Sequence, residues 1–446
     1  MTILNKNEPF TLFLGDIIAF VVALWVTLFI RLGSVPTNTL LESYVAPFVI
    51  LFVAWVLVFF IAGLYEKHTT ILRNRLPGII LNAQIANTVI AFIFFYFVPV
   101  FGIAPKTTLI IYLFVSFGSI LLWRLYGINF LVPQRRNMAL LVGSGSEMKE
   151  LYEEVNSNNR YNFKFISSID LDNISQSDFQ EEIVNRIYTE DISTIVIDLH
   201  HKKVEPVLSH LYDLIFFRVS FIDIHKVYED IFDRVPISLL KDGWFIENIS
   251  LSPKVTYDFL KRSMDILFSV VFGFASLIVY PFVVLAIKIQ DGGPVFISQE
   301  RAGKNNKVIK IYKFRSMKGS DSGKWITKDD NRHTIVGKFI RKTRIDELPQ
   351  LWNVLVGDIS LIGPRPDLVV FNEQLSKEIP YYNVRSTIKP GLSGWAQTHQ
   401  EKPPQSVEET KIRLSYDLYY VKNRSFIIDV KIALRTLYIL ISRQGL

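Results

Sequence analysis

Four apolar stretches fill roughly the first 130 residues: Phe10–Ile30, Tyr44–Leu64, Ile79–Val100 and Thr108–Trp123. Each is close to the ~20 residues that carry a helix across the hydrocarbon core of a bilayer. Only a helix or a closed barrel satisfies its backbone there, so the stretches predict a four-helix transmembrane bundle over 1–130. Composition agrees, with 50% of residues hydrophobic and 20% charged, too apolar for an ordinary soluble enzyme. The first stretch is too long for a removable signal peptide and lacks a small-residue cleavage site, so it is expected to stay. Lys67, Arg73 and Arg75 sit in the middle loop and Arg124, Arg135 and Arg136 follow the last helix, against only Arg31 and Lys106 in the other loops. The positive-inside tendency therefore puts the N-terminus, the middle loop and everything after the fourth helix in the cytoplasm. Asp16, Asn82, Gln84 and Asn87 are the polar residues within the spans, and they read as helix-packing groups rather than a transport path.

From about Asn137 the texture changes. Short buried-type strands at Asn137–Val142, Phe163–Ile169, Thr194–Leu199 and Ser220–Ile224 alternate with helical runs at Glu147–Val155, Asp178–Ile187 and Val204–Phe217. That alternation predicts a parallel, doubly wound sheet, a Rossmann-like α/β cytoplasmic domain over 131–250 with its linker. Gly143-Ser-Gly145 after the first strand could admit a nucleotide phosphate, but the third glycine of the dinucleotide pattern is missing. A degenerate domain with a structural or regulatory role is the alternative.

Ser263–Ile287 is again long enough to span. Yet Lys254, Lys261 and Arg262 precede it, and Lys288, Arg301, Lys304, Lys307 and Lys310 follow it. Positive charge at both ends, with Pro281 available to break the helix, predicts a segment that enters, bends and returns, a straight span being the alternative. Lys261 and Arg262 read as lipid-headgroup anchors. The net charge of +7 suits an anionic lipid surface or phosphate-bearing substrates. No basic run or nucleic-acid motif appears, and the absence of cysteine excludes disulfides, thiolate catalysis and cysteine metal sites.

The densest chemistry lies in Arg341-Lys-Thr-Arg344-Ile-Asp346-Glu347-Leu-Pro349-Gln350-Leu-Trp352-Asn353 and the following Gly363-Pro364-Arg365-Pro366. Leu348, Leu351, Val354 and Leu355 recur at helical spacing and Gly357 ends the run. Proline is tolerated only in a first turn, so Pro349 places Asp346 and Glu347 at the helix start. Asp346 could simply cap that helix. Alternatively, two adjacent carboxylates beside Arg341, Arg344 and Arg365 make sense if one attacks phosphorus and the other helps hold Mg²⁺.

From Lys261 to the C-terminus the chain resembles the polyprenyl-phosphate hexose-1-phosphate transferases, the bacterial sugar transferase family. The resemblance is carried by Lys261-Arg262-Ser-Met-Asp265, Gly292-Gly293-Pro294-Val-Phe296 with Gln299-Glu300-Arg301, Tyr312-Lys313-Phe314-Arg315-Ser316-Met317, and Asp330-Asn-Arg332-His-Thr334. The Asp-Glu-Leu-Pro-Gln block, Gly-Pro-Arg-Pro, Lys389-Pro390-Gly391 through Gln397, and Tyr416-Asp417 with Tyr419-Tyr420 follow in the family's order. The N-terminal half resembles the family's large members, with Phe232-Asp-Arg234-Val235-Pro236 and Trp244-Phe245 like their linker. Many relatives have Ser-Pro at the membrane-helix break where this chain has Tyr280-Pro281.

The resemblance implies a bacterial cytoplasmic-membrane enzyme with an α-rich α+β catalytic domain over 251–446. It would transfer a sugar-1-phosphate from a UDP-sugar to undecaprenyl phosphate in capsule, exopolysaccharide or O-antigen synthesis. Asp346 is the implied nucleophile, with Glu347 assisting through Mg²⁺ or by orienting Asp346, and the two carboxylates are the implied metal ligands. Arg341, Arg365 and Lys313, with Arg315, Arg332 and Asp417, would bind phosphate or substrate, the alternative for Arg315 and Arg332 being salt bridges that pin loops. A homodimer is expected by the same resemblance. Two rival readings have their own signatures. A membrane-bound nucleotide-sugar dehydratase or epimerase would need a Tyr-x-x-x-Lys pair, which Tyr257 and Lys261 match in spacing but at a membrane-helix entrance. A non-catalytic scaffold of polysaccharide assembly would not need the costly carboxylate pair. His200-His201 reads as a loop pair rather than a metal site, and Trp395 as packing rather than a sugar platform.

Overall fold

A computed structural model describes residues 8–65, 76–98, 106–127, 136–158, 161–213, 216, 219–250, 252, 254–317, 334–400 and 402–442. The chain forms two compact units, 1–231 and 232–446.

In the first unit the four apolar stretches are helices: α1 (Glu8–Leu32), α2 (Asn38–Ile61), α3 (Leu76–Phe97) and α4 (Lys106–Tyr126). Among the described residues these four are long and apolar enough to cross a membrane. Their core is aromatic. Phe20, Phe48, Trp55 and Phe59 are fully buried, and Trp55 packs 5.1 Å from Tyr112, centroid to centroid. Asp16 and Arg124 are both buried, and Arg124 meets both carboxylate oxygens, donating also to the Leu64 carbonyl at 2.7 Å. Arg124 is therefore a bundle residue and not part of the cytoplasmic loop charge, where the sequence counts it. Lys67, Arg73, Arg75 and Arg135 lie outside the described residues. Gln84 and Asn87 are buried and bonded to each other, and the Asn87 carbonyl accepts from Trp55 Nε1 at 3.0 Å; Asn82 is exposed.

The same unit contains an α/β part: β1 (Asn137–Gly143), α5 (Gly145–Ser157), β2 (Phe163–Asp170), α6 (Gln176–Thr189), β3 (Thr194–Ile197), α7 (Leu208–Asp213), β4 (Ser220–Asp223) and α8 (Ile224–Phe232). All strands are parallel, in the order β2-β1-β3-β4. β3 is buried along its length, as expected of a strand covered on both faces. The Gly143 turn is filled: a Cβ there would lie 2.9 Å from Ile224 Cδ1, and Glu147 stands in the first turn of α5.

The second unit opens with the segment that the sequence assigns to the preceding domain. Val235, Leu240 and Trp244, the last on α9 (Asp242–Asn248), pack with Leu375, Tyr382, Leu414 and Leu418. The boundary falls at 231/232 rather than 250/251 because these apolar side chains find their partners downstream. Next come α10 (Val255–Leu277) and α11 (Tyr280–Asp291), bent by 53° with Pro281 in the first turn of α11. Proline cannot donate to the preceding turn, so the break falls where the sequence places it. Phe274, Ile278, Phe282 and Ile289 are exposed on this pair, whereas the buried residues are polar on α10 and the apolar Val283 and Ile287 on α11; Asp265 accepts from Ser360 Oγ and the Leu361 amide, both at 3.0 Å. The hairpin β5 (Phe296–Ala302) and β6 (Val308–Phe314) follows, then α12 (Ile335–Lys342), α13 (Gln350–Val356), β7 (Ser360–Ile362), α14 (Val369–Glu378), β8 (Gly391–Ser393), α15 (Trp395–His399), α16 (Val407–Asn423) and α17 (Phe426–Ser442). β7 and β8 pair in parallel.

Candidate active site

The site forms where α12 turns into α13. Thr334 caps α12, its Oγ1 accepting from the Gly337 amide at 2.9 Å, and a Cβ at Gly337 would strike the Ser316 carbonyl. That close approach fixes α12 and the Arg341 it carries. Arg344 then takes a left-handed φ of 56°, reversing the chain into a 3₁₀ turn over Ile345–Glu347, and Pro349 precedes α13. Neither carboxylate caps α13, because the cap position is Pro349 one short turn later. Asp346 is 8% exposed and its Oδ1 is buried with no hydrogen-bond partner. A cap would have spent that oxygen on a backbone amide.

Glu347 is the opposite case. Arg365 Nη2 donates to its Oε1 at 2.8 Å, Arg344 lies at 3.8 Å and Lys313 at 4.0 Å. Burial alone would raise the Glu347 pKa, but Arg365, Lys313 and Arg344 outweigh it and bring it to about 2. Asp346 is pushed up to about 6 by burial and by the Glu347 charge beside it, with Lys313, Arg341 and Arg344 only partly offsetting them. Burial brings the Lys313 ammonium down to about 8; Glu347 resists this, while Arg365 and Arg301 add to it. Two neighbouring carboxyls thus acquire opposite character, one a fixed anion and one poised to titrate near neutrality.

Lys313 is placed by β6, and β6 is gripped by Asn353. Asn353 Nδ2 donates to the Lys310 carbonyl at 2.7 Å, and its Oδ1 accepts the Tyr312 amide at 3.2 Å. Arg365 is placed by its own backbone: Arg385 and Arg413 donate to its carbonyl at 2.7 and 2.9 Å, and Arg301 to the Pro366 carbonyl at 3.0 Å. Arg385 also pairs with Asp367 and, at 2.8 Å, with Asp417. Burial opposes ionisation of Asp367, yet Arg385 and Arg413 hold its carboxyl well below the usual range.

The structure therefore brings together Asp346, Glu347, Lys313 and Arg365, with Arg341 close enough to lower the Asp346 pKa. Asp417 is buried behind the Gly-Pro-Arg-Pro loop and acts on it through Arg385, not at the carboxylates. Arg315 pairs with Asp291; Gly293 allows this, since a Cβ there would occupy the guanidinium's space. It is a loop pin. Arg332 lies outside the described residues. Lys261 pairs with Asp429 at 2.8 Å, and Arg262 donates to the Val354 and Leu355 carbonyls at 2.7 Å. Their head groups are spent on docking α10 rather than on the headgroup anchoring expected of them. Tyr257 also donates to Asp429, at 3.0 Å, so the Tyr-x-x-x-Lys spacing serves a structural clamp. Trp395 is buried, its Nε1 donating to the Asp233 carbonyl at 2.8 Å, which is packing.

Sequence reasoning missed Asn353, Arg385, Arg413 and Asp367. Asn353 carried a faint signal, an amide on a helix otherwise read for its leucines; Arg385 gave none. As for Mg²⁺, an orphaned carboxylate oxygen beside a second carboxylate matches the one or two carboxylates that ion takes, phosphate oxygens and water completing its shell. No group of three or more acidic or histidine side chains is arranged to hold a metal among the described residues.

Residues 256–443 match the family model described as bacterial sugar transferase. The chain is 42% identical over 229 residues to the UDP-N-acetylgalactosamine-undecaprenyl-phosphate N-acetylgalactosaminephosphotransferase of Aeromonas hydrophila, covering 50% of this chain and 52% of that one. It is 39% identical over 183 residues to the UDP-glucose:undecaprenyl-phosphate glucose-1-phosphate transferase of Escherichia coli K12, covering 40% of this chain and 39% of that one. It is 40% identical over 191 residues to the exopolysaccharide production protein PSS of Rhizobium leguminosarum, 40% of this chain and 92% of the relative. The matches thus span about half the length of the first of these relatives and less of the second, but nearly all of the shortest.

Proposed function

Because the chain belongs to the bacterial sugar transferase family, we propose that it moves a sugar-1-phosphate from a UDP-sugar onto undecaprenyl phosphate, releasing UMP. The observation that carries this reading is the Asp346 oxygen, buried and unpaired beside Lys313, Arg365 and Arg341. Asp346 Oδ1 attacks the β-phosphorus of the donor, forming a carboxylate–phosphorus bond as the bond from that phosphorus to the bridging oxygen breaks and UMP leaves. A phosphate oxygen of undecaprenyl phosphate then attacks the same phosphorus, releasing Asp346 as the carboxylate and giving undecaprenyl-diphosphate-sugar. Division into two displacements is the usual gain of a covalent nucleophile. Arg365 and Lys313 stabilise charge on the non-bridging oxygens, while Glu347 holds those two cations in place. Mg²⁺, held by Asp346 and Glu347 together with substrate phosphate, would supply further charge neutralisation.

The membrane part of the reading rests on the bent pair α10–α11. Its exposed Phe274, Ile278, Phe282 and Ile289 would lie in lipid, and Asp265 on α10 with Val283 and Ile287 on α11 docks it on the catalytic fold. We take the pair as re-entrant, entering and leaving on the cytoplasmic face of the bacterial inner membrane, where both substrates meet. The parallel sheet of the first unit is read as a degenerate Rossmann-like domain, and the product as the first lipid-linked intermediate of an extracellular polysaccharide. The test is UMP release from a panel of UDP-sugars with undecaprenyl phosphate and Mg²⁺. Lipid-dependent release from one sugar, lost in Asp346→Asn, is expected; release that survives the substitution would move the nucleophile elsewhere.

A further inference from the structure

Gln350 is 5% exposed, and its Nε2 is buried with no hydrogen-bond partner, like Asp346 Oδ1. The backbone from Ile345 to Val356 is right-handed throughout, Leu348 and Pro349 bridging the 3₁₀ turn and α13 with φ of −54° and −61°. The bonds along it run from each amide to the carbonyl three residues back, at Leu348, Leu351 and Trp352, so Gln350 follows Asp346 by little more than one tight turn. One lacks a donor and the other lacks an acceptor, yet the two are not bonded to each other. A buried amide donor left unpaired is costly, and a fold that tolerates it usually reserves it for something absent from the protein itself. Hydrophobic side chains would fill the same place at no such cost. Leu351 and Val354, on the same short helix, do so elsewhere.

We propose that Gln350 contacts substrate directly, its side-chain amide donating to a non-bridging oxygen of the phosphoryl group that Asp346 attacks. The proposal rests on the sugar-phosphate transfer reading. A phosphoryl group seated between the two residues satisfies both at once: its oxygen accepts from Nε2 while its phosphorus faces Oδ1. Lys313 and Arg365, the cations that act on this carboxylate pair, supply the charge that draws the group there. Gln350 adds a neutral donor that fixes its orientation.

The experiment compares the full-length protein with Gln350→Met, which keeps nearly the same volume, and with Gln350→Glu, which keeps the shape but removes the donor pair. UMP release and thermal unfolding with and without inorganic phosphate are measured for each, with Asp346→Asn alongside. A lost hydrogen bond to a charged oxygen predicts that kcat/KM falls about ten- to hundredfold in Gln350→Met and further in Gln350→Glu. The melting temperature of Gln350→Met without phosphate should hold or rise, and the phosphate-induced rise of the wild type should shrink in both variants. Activity within about twofold of wild type with an unchanged phosphate response would mean that a buried water had occupied the amide, and would overturn the proposal. So would loss of activity in Gln350→Met accompanied by a fall in its melting temperature, which marks a packing residue, or a wild type that phosphate does not stabilise. Failure of the transfer reading itself shows differently, as wild-type protein that releases no UMP or as Asp346→Asn that still does.

Discussion

The first unit and the second each bury an acidic residue against arginine, and they finish the job differently. In the helix bundle Arg124 reaches both oxygens of Asp16 and the Leu64 carbonyl, so the pair is closed. In the second unit three cations gather on one oxygen of Glu347, Arg365 bonding it and Lys313 and Arg344 standing within 4.0 Å, while Asp346 beside it keeps an unpaired oxygen. A closed pair offsets the loss of hydration and offers nothing to a ligand. An open one holds unfavourable energy that a ligand can relieve, which is how functional groups come to cost stability.

Removing the open carboxylate should produce the largest functional effect and an opposite structural one. Asp346→Asn is expected to lower turnover by a factor on the order of 10³ or more, as loss of a covalent nucleophile does. It should also stabilise the protein. A carboxyl raised from 3.8 to about 6 favours folding while protonated in both states, and that contribution is lost as pH rises through about 6. The advantage of Asn over Asp should therefore grow from pH ~4 to ~6 and level off near about 3 kcal/mol, read as thermal unfolding against pH. Loss of stability on this substitution would put Asp346 in the same class as Asp16.

Opening the closed pair is next in size. Arg124→Ala leaves Asp16 buried and uncompensated and should destabilise the full-length protein by about 3–5 kcal/mol, whereas replacing both residues by apolar ones of similar volume should recover most of it. Turnover per folded molecule should not change. A single variant as stable as wild type would show that the bundle pair is hydrated and not closed.

Loosening the support behind the open site costs stability on the scale of Arg124→Ala, because Asp367 and Asp417 lose a buried partner, but it affects turnover less than Asp346→Asn. Arg385→Met removes the donor to the Arg365 carbonyl and the partner of Asp367 and Asp417. Arg365 itself is kept, so kcat should fall about tenfold with KM little changed, the signature of a misplaced charge. Least of all is the pH profile. kcat/KM should decline below pH ~6, by no more than about tenfold per pH unit, as Asp346 takes up its proton.

Much of the fold is legible along the chain because its signals are local. Hydropathy marks α1 to α4, proline marks the α10–α11 break, and Gly357, at a φ of 97°, ends α13 where the leucine spacing stops. The Asp346-Glu347 pair is legible as chemistry but not as two different acids, because what separates them is which one Arg365 reaches from 18 residues downstream. Pro349 points to the helix start, yet a 3₁₀ turn shifts the carboxylates just off the cap, and that offset decides between capping and reactivity. Arg385 is silent in sequence for the same reason, and Asn353 nearly so. Their role is a hydrogen bond to someone else's backbone. Lys261 and Arg262 mislead in the opposite direction: their charge suits a lipid surface, but Asp429 and the end of α13 claim it.

The most direct test of the account is the mass of the protein after mixing with a UDP-sugar donor and Mg²⁺ in the absence of undecaprenyl phosphate. The account predicts one equivalent of UMP and a single sugar-phosphate adduct located on Asp346, discharged when the lipid is added. UMP that appears only with the lipid present, with no adduct at any stage, or an adduct on another residue, would contradict it.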